Sequence, residues 1–350
     1  MDAPSHQRKP KVFKEAEMFK KKSFASMIVA AALVAFVWLA ACAAPPIPVP
    51  QVTLRIGIFP VQDCLPYFVM REQGFDKQNG LQFVEATYAD GNAVFKAMQT
   101  DSLDVGPSIG SVPVLSAAER GLIPGTVVPV AANSLSDPSH PSVGVLVGQS
   151  INNWKDLEGQ LIGVASLTSL HGAAIKGRLK QEGVRDYTLV EIPIPNLGLA
   201  LAGGNVVAAT TQEPYLTQSL LRGDGKLLGW IIGGPPFDRM QFTMIVFSAA
   251  SYRNNPEAVK AYLRAHRQAV QWISQHPKEA RSILTKRLAL SEEVGQKVTL
   301  PNWPLDARND PTLLESMQPL LVEIGMLKAP IPARQLYDET LLEEVLREKR

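Results

Sequence analysis

Residues 54–88 read LRIGIFPVQDCLPYFVMREQGFDKQNGLQFVEATY, and the fold class follows from how this stretch divides. The apolar run Leu54 to Phe59 has the length of a buried strand, and Pro60 and Pro66 mark a loop behind it. A helix is expected through Tyr67 to Gln73, stopped by Gly74, and Gly80 opens a second strand, Leu81 to Tyr88. Toward the C-terminus the scheme continues. Asp90-Gly91-Asn92 reads as a turn, Ala93 to Gln99 as a helix, Leu103 to Gly106 as a short strand, and another helix precedes Gly121. Such alternation predicts an α/β fold with a parallel sheet covered by helices on both faces. A second unit repeats it: strand Leu161 to Ala165, helix His171 to Gln181, strand Thr188 to Ile192, short helix Leu197 to Ala202, strand Val206 to Ala209. Two such units in tandem imply two α/β lobes with a central cleft. The remaining chain reads as helical, with Val259, Tyr262, Leu263, Val270 and Ile273 on one face. Asp310-Pro311 forms a helix start, and Pro319 is expected to kink a helix spanning Leu313 to Ile324.

Toward the N-terminus the composition changes. The 350-residue chain carries a formal net charge of +2, with seven Lys/Arg against three Asp/Glu in residues 1–41 and 28 against 30 thereafter. The body lacks the basic face that nucleic-acid binding requires. Lys20, Lys21 and Lys22 precede the apolar run Met27 to Ala41, too short for an ordinary membrane span but right for a signal peptide. The run ends in Leu39-Ala40-Ala41-Cys42, which resembles the bacterial lipobox, so residues 1–41 are expected to be removed and Cys42 to be lipidated. Met18 is a second candidate start. The Pro-rich residues 42–51 then suit an extended tether. Cys64 is the other thiol, expected to be a small buried apolar group, so a lipidated Cys42 leaves no intrachain disulfide.

The stretch Arg71-Glu72-Gln73-Gly74-Phe75-Asp76-Lys77-Gln78-Asn79-Gly80-Leu81-Gln82-Phe83 resembles the helix, glycine and strand start of the nitrate, sulfonate, taurine and thiamine-precursor/riboflavin branch of ABC-transporter solute-binding lipoproteins. Residues 101–106 followed by Gly121, residues 156–164, and Glu213-Pro214-Tyr215 are similar to further motifs of that family in the same order. Asp101 and Val207 depart from it, standing where the family often has Gly and Asp. The resemblance implies a type II periplasmic binding protein: lobe I over 52–142, lobe II over 143–247, and a helical return to lobe I over 248–350. Strands near Val143–Val147 and Thr243–Phe247 would form the hinge. It also implies a monomer on the outer face of a membrane, with an ABC permease and ATPase as partners and no catalysis.

In a parallel sheet, ligands bind beyond the carboxyl ends of the strands. The loops there supply the candidate ligand contacts Gln62, Asp63, Asn92 and Ser108 from lobe I and Thr168, Ser169, His171, Gln212 and Glu213 from lobe II, with Tyr67 and Tyr215 as stacking faces. Ser108 and Thr168-Ser169 are expected just before helices, where capping is the plainer role. Gly106-Pro107-Ser108-Ile109-Gly110 matches a nucleophile-elbow pattern, but no histidine stands in a recognisable motif with it. The five scattered histidines predict no metal, and no cofactor is expected. A fungal thiamine-pyrimidine synthase of the same fold would need a Cys-rich motif that two cysteines cannot supply. The candidate loops contain no Lys or Arg, while Asp63 and Glu213 would repel an anion. The expected ligand is therefore a flat heterocycle, riboflavin or a thiamine-type pyrimidine, ahead of sulfonate, taurine or nitrate.

Overall fold

The computed structural model describes residues 51–348; the expected signal peptide, lipobox and Cys42 lie outside the described residues. Strand β1 (Val52–Ile58) leads through a 3-10 turn, Gln62–Cys64, into α1 (Leu65–Glu72), whose Pro66 occupies the first turn where a missing N–H costs nothing. Gly74, at φ 71°, closes that helix, and the short α2 (Phe75–Gln78) leads to β2 (Leu81–Thr87). The carboxyl of Asp90 accepts from the Ala93 N–H at 2.8 Å and starts α3 (Gly91–Gln99). β3 (Val105–Gly110), α4 (Ser111–Glu119) and β4 (Val127–Ser136) complete the first series.

The second series runs β5 (Val143–Val147), β6 (Gln160–Val164), α5 (Leu170–Gln181), β7 (Tyr187–Glu191), α6 (Leu197–Ala202), β8 (Ala208–Gln212), α7 (Tyr215–Arg222) and β9 (Lys226–Ile232). β10 (Met240–Ser248) follows, then α8 (Ala249–Asn254), α9 (Pro256–Gln275), α10 (Pro277–Arg287), α11 (Glu292–Lys297), α12 (Pro311–Ser316), α13 (Gln318–Glu323) and α14 (Thr340–Arg347). The expected single helix over 313–324 is two helices. Pro319 cannot supply the N–H of a continuous ladder, and the chain breaks at Met317.

The strands form two sheets, ordered β2-β1-β3-β10-β4 and β7-β6-β8-β5-β9. β1 pairs in parallel with β2 and β3, and β6 with β7 and β8. β10 and β5 are antiparallel to both of their neighbours, so each sheet is mixed rather than wholly parallel. The first sheet therefore takes β10 from beyond the second lobe, whereas the second sheet is built from the continuous run β5 to β9. The lobe II expectation of 143–247 ran too far, because the second sheet ends at Ile232 and β10 already lies inside the first. The two connections between lobes, 137–142 and 233–239, run side by side. Ser142 N–H donates to Ile232 O at 3.0 Å, and a Cβ on Gly233 (φ 81°) would meet Pro141 Cα at 2.4 Å. The five marked residues of α9 are all buried, and this helix and α10 pack on α1. Arg287 of α10 donates to Glu85 of β2 at 3.0 Å, tying the tail to the first lobe. No described helix is long and apolar enough to cross a membrane.

Candidate functional site

In each sheet the chain leaves one strand, β1 or β6, to one side and returns to its other side, as β2-β1-β3 and β7-β6-β8. Such a reversal opens a crevice beyond the strand ends. The two crevices face each other across a cavity of about 50 Å³. The first lobe lines it with Phe59 and Asp63 after β1, Asp90 to Asn92 after β2, Ser108 and Gly110 of β3, Pro113 of α4, and Phe242 and Thr243 of β10. The second adds Ala165 after β6, Ser169 to His171 at the start of α5, Ile194 after β7, and Gln212 at the end of β8.

The polar groups differ in how far they are satisfied. Asp63 Oδ1 accepts from the Ser134 hydroxyl at 2.6 Å, while Oδ2 has no partner. Burial pushes this carboxyl up to about 7, against the Ser134 hydrogen bond that favours the charged form. Ser108 Oγ is fully buried and also without a partner. His171 is held on both sides, with Nδ1 at 3.2 Å from Thr210 Oγ1 and Nε2 at 2.9 Å from Gln212 Oε1. Burial lowers its pKa and favours the neutral ring. Since Gln212 Oε1 can only accept, Nε2 carries the proton and Nδ1 accepts from the threonine. The Gln212 carbonyl is thereby occupied, which leaves its amide N–H groups for the cavity. Asn92 Nδ2 donates across the cleft to Ser166 Oγ at 3.1 Å and Thr168 Oγ1 at 3.3 Å, so the lobes already touch.

Six of the eleven sequence-predicted contacts, Asp63, Asn92, Ser108, Ser169, His171 and Gln212, thus line one cavity. The other five stand elsewhere. Tyr67 is buried in the lobe I core, its hydroxyl donating to Glu85 Oε1 at 2.8 Å and its ring edge-on to Phe83 at 5.2 Å. Glu213 accepts from the Thr217 N–H and hydroxyl at 3.0 and 2.8 Å and from the Thr299 N–H at 3.2 Å, so it caps α7 and pins the C-terminal return. Gln62 is buried beside Asp63 with both side-chain polar atoms unpartnered. Thr168 meets Asn92 at the rim, and Tyr215 lies half-buried in the first turn of α7. Ser169 accepts from the Gly172 N–H at 3.4 Å, so it caps α5 as well as lining the cavity.

Ser108 does not precede a helix. It sits inside β3, three residues before α4 begins, because the apolar run extends to Gly110 instead of ending at Gly106. A nucleophile elbow needs its serine on the sharp strand-to-helix turn, so this geometry does not support the hydrolase alternative. The burial of Cys64 pushes its thiol up to about 12, away from nucleophilic thiolate. Among the described residues no cluster of His, Cys, Asp or Glu could hold a metal ion. Sequence reasoning missed Phe59, Asp90, Phe242 and Thr243. Asp90 carried a signal as the cap before Gly91, but Thr243 is brought in only by the antiparallel pairing of β10 with β3.

The profile of the NMT1-like family matches residues 48–289. A putative aliphatic sulfonates-binding protein of Bacillus subtilis is 24% identical over 306 residues, covering 84% of this chain and 88% of that protein. Among solved structures, the ligand-binding component of an ABC-type import system from Staphylococcus aureus superposes with a TM-score of 0.72 at 13% identity, over 85% of this chain and all of that one. A desulfurization enzyme has a TM-score of 0.63 at 18% identity, over 85% and 99% of the two chains. The architecture of two lobes and a cleft is that of the periplasmic binding proteins, a fold that hosts receptors and at least one enzyme. With the profile matching more than half of its length, the chain belongs to the NMT1-like family.

Proposed function

We propose that this protein is the extracytoplasmic solute-binding subunit of an ABC importer. It holds one small heterocycle between its lobes and delivers it unchanged to a membrane permease. The observation that carries the ligand reading is the charge of the cavity wall. Asp63 and Asp90 line it, none of its lining residues is Lys or Arg, and the rings of Phe59 and Phe242 flank amide and hydroxyl groups. A desolvated anion would meet two carboxyls with no cation to offset them, whereas a neutral or cationic ring finds acceptors and apolar faces. At about 50 Å³ the cavity is roughly a third of one that takes benzene. A single pyrimidine ring enters with the lobes slightly parted; the three fused rings of riboflavin require far more.

A second reading, a sulfonate or nitrate receptor, is favoured by the sulfonate-binding relative and by this small volume, which suits a compact anion. The free N–H groups at the start of α5 would then hold the oxyanion. A thermal-shift screen of the purified protein against the aminopyrimidine of thiamine, riboflavin, taurine, methanesulfonate and nitrate separates the two. A ligand at a hundred times its dissociation constant stabilises by about 2.7 kcal/mol. Stabilisation by the pyrimidine supports the first reading; stabilisation by sulfonate or nitrate alone replaces it with the second.

The same proposal places the protein on the outer face of a membrane, anchored through acyl chains on Cys42. Mass spectrometry of the native N-terminal peptide is expected to show a diacylglyceryl Cys42, and an unmodified Cys42 would contradict the anchor.

A further inference from the structure

The first-lobe wall of the cavity ends in a one-way chain of hydrogen bonds. Asn133 Nδ2, which can only donate, reaches Thr243 Oγ1 at 2.9 Å and the Asp63 carbonyl oxygen at 3.1 Å. The Thr243 and Ser134 hydroxyls lie 2.7 Å apart, and Ser134 donates to Asp63 Oδ1 at 2.6 Å. A hydroxyl has a single proton. Ser134 gives its proton to Asp63, so Thr243 must give its own to Ser134, and every donor in the chain points at Asp63. With the carboxyl ionised, Oδ1 is thereby an acceptor. Oδ2 has no partner, although Asp63 is 1% exposed and lines the cavity. Ser108, 0% exposed on the same lobe's wall, also leaves its Oγ unpartnered. Buried polar atoms of this kind are costly unless something completes them.

We infer that Asp63 is the specificity-determining residue of the cleft: its Oδ2 takes an N–H of the ligand, with Ser108 Oγ as the neighbouring polar contact, and so selects ring compounds that carry an amino or ring N–H group. This rests on the heterocycle reading above and narrows it from flat rings in general to N–H donors. The carboxyl is poised near neutrality, at about 7, so Oδ2 accepts from the N–H when ionised and can donate to an adjacent ring nitrogen when protonated. A ring with an amino group beside a ring nitrogen matches both forms; an N-alkylated or methoxy ring matches only the second. Asp63→Asn is the informative substitution. Its amide oxygen keeps the Ser134 hydrogen bond and its NH₂ replaces Oδ2, turning the unpartnered acceptor into a donor.

The test is isothermal titration of the detergent-solubilised full chain with 4-aminopyrimidine, 4-dimethylaminopyrimidine, 4-methoxypyrimidine and methanesulfonate. The native protein is expected to bind the amino compound at least tenfold more tightly than the other two rings. Asp63→Asn is expected to abolish that preference and to gain affinity for the methoxy ring, and Ser108→Ala to weaken amine binding less. Equal binding of the three rings by the native protein, or an unchanged preference in Asp63→Asn, overturns the inference and leaves the heterocycle reading standing. Binding of methanesulfonate alone overturns both. Should circular dichroism show Asp63→Asn unfolded, discrimination among the three rings by the native protein decides alone.

Discussion

Asp63 owes its unusual chemistry to position: one residue past the start of a 3-10 turn, it is carried under β4 and β10, where Ser134 and Thr243 replace water. Its carboxyl binds a proton up to about 7 in the folded protein, against 3.8 when exposed. Between those values the folded state holds more protons than the unfolded one. The contribution of Asp63 to stability is therefore full below about pH 4 and is lost as pH rises toward 7, with a slope of at most about 1.4 kcal/mol per pH unit. Urea unfolding of the ligand-free protein at several pH values checks this, with Asp63→Asn expected to remove that part of the slope; superimposable profiles for the two proteins would refute it. The residue itself was legible in the sequence because it follows a strand. Its partners were not, since Asn133, Ser134 and Thr243 lie 70 or more residues away and only the sheet order unites them. Tyr67 was misplaced for a related reason. Helical periodicity marks which residues are buried, but nothing local says that this ring faces Phe83 rather than the cleft.

At the level of elements, the start of α5 packs closely on the loop before it, which forms part of the cavity wall. A Cβ on Gly172 would stand 2.5 Å from Leu167 O and 2.7 Å from Ser166 O, both backbone atoms that cannot swing aside. Gly172→Ala is expected to cost about 1–3 kcal/mol and to weaken ligand binding by displacing Ser166, Thr168 and Ser169. Gly74→Ala meets no atoms, but holds an L-residue at φ 71°, so it should cost about 1–2 kcal/mol and leave binding unchanged. Denaturant titration and thermal shift with ligand distinguish the pair, and a ligand effect from Gly74→Ala rather than Gly172→Ala would contradict this account. Strands flanked by glycine and helices were legible along the chain, as β1, β2, β6 and β7 show. β4 was not: Pro129 and the small or polar residues 131–134 blur its pattern, which is tolerated because β4 is an edge strand. β9, the outer strand of the second sheet, was missed as well, although its run KLLGWII is largely apolar.

Across the whole molecule, the lobes are joined by two adjacent connections, 137–142 leading into β5 and 233–239 leading into β10, and the C-terminal return also touches the second lobe, through Glu213 with the Thr299 N–H and Lys180 with Glu323 at 2.8 Å. On the cleft side the lobes are joined by weaker ties, the Asn92 side chain to Ser166 and Thr168 and the Gln62 N–H to Glu213 O at 3.5 Å. Two lobes were legible from the repeated strand–helix order, and the crossover strands near Val143–Val147 and Thr243–Phe247, which the family resemblance implied, stand as β5 and β10; their antiparallel pairing was not legible, since direction and pairing are properties of the sheet rather than of either segment. On the proposed function, ligand binding closes the lobes about these paired connections. Small-angle X-ray scattering of the purified protein, with and without a saturating amount of whichever compound in the screen stabilises it, tests this closure. The radius of gyration is expected to fall on ligand addition, whereas identical curves in the presence of proven binding would contradict closure.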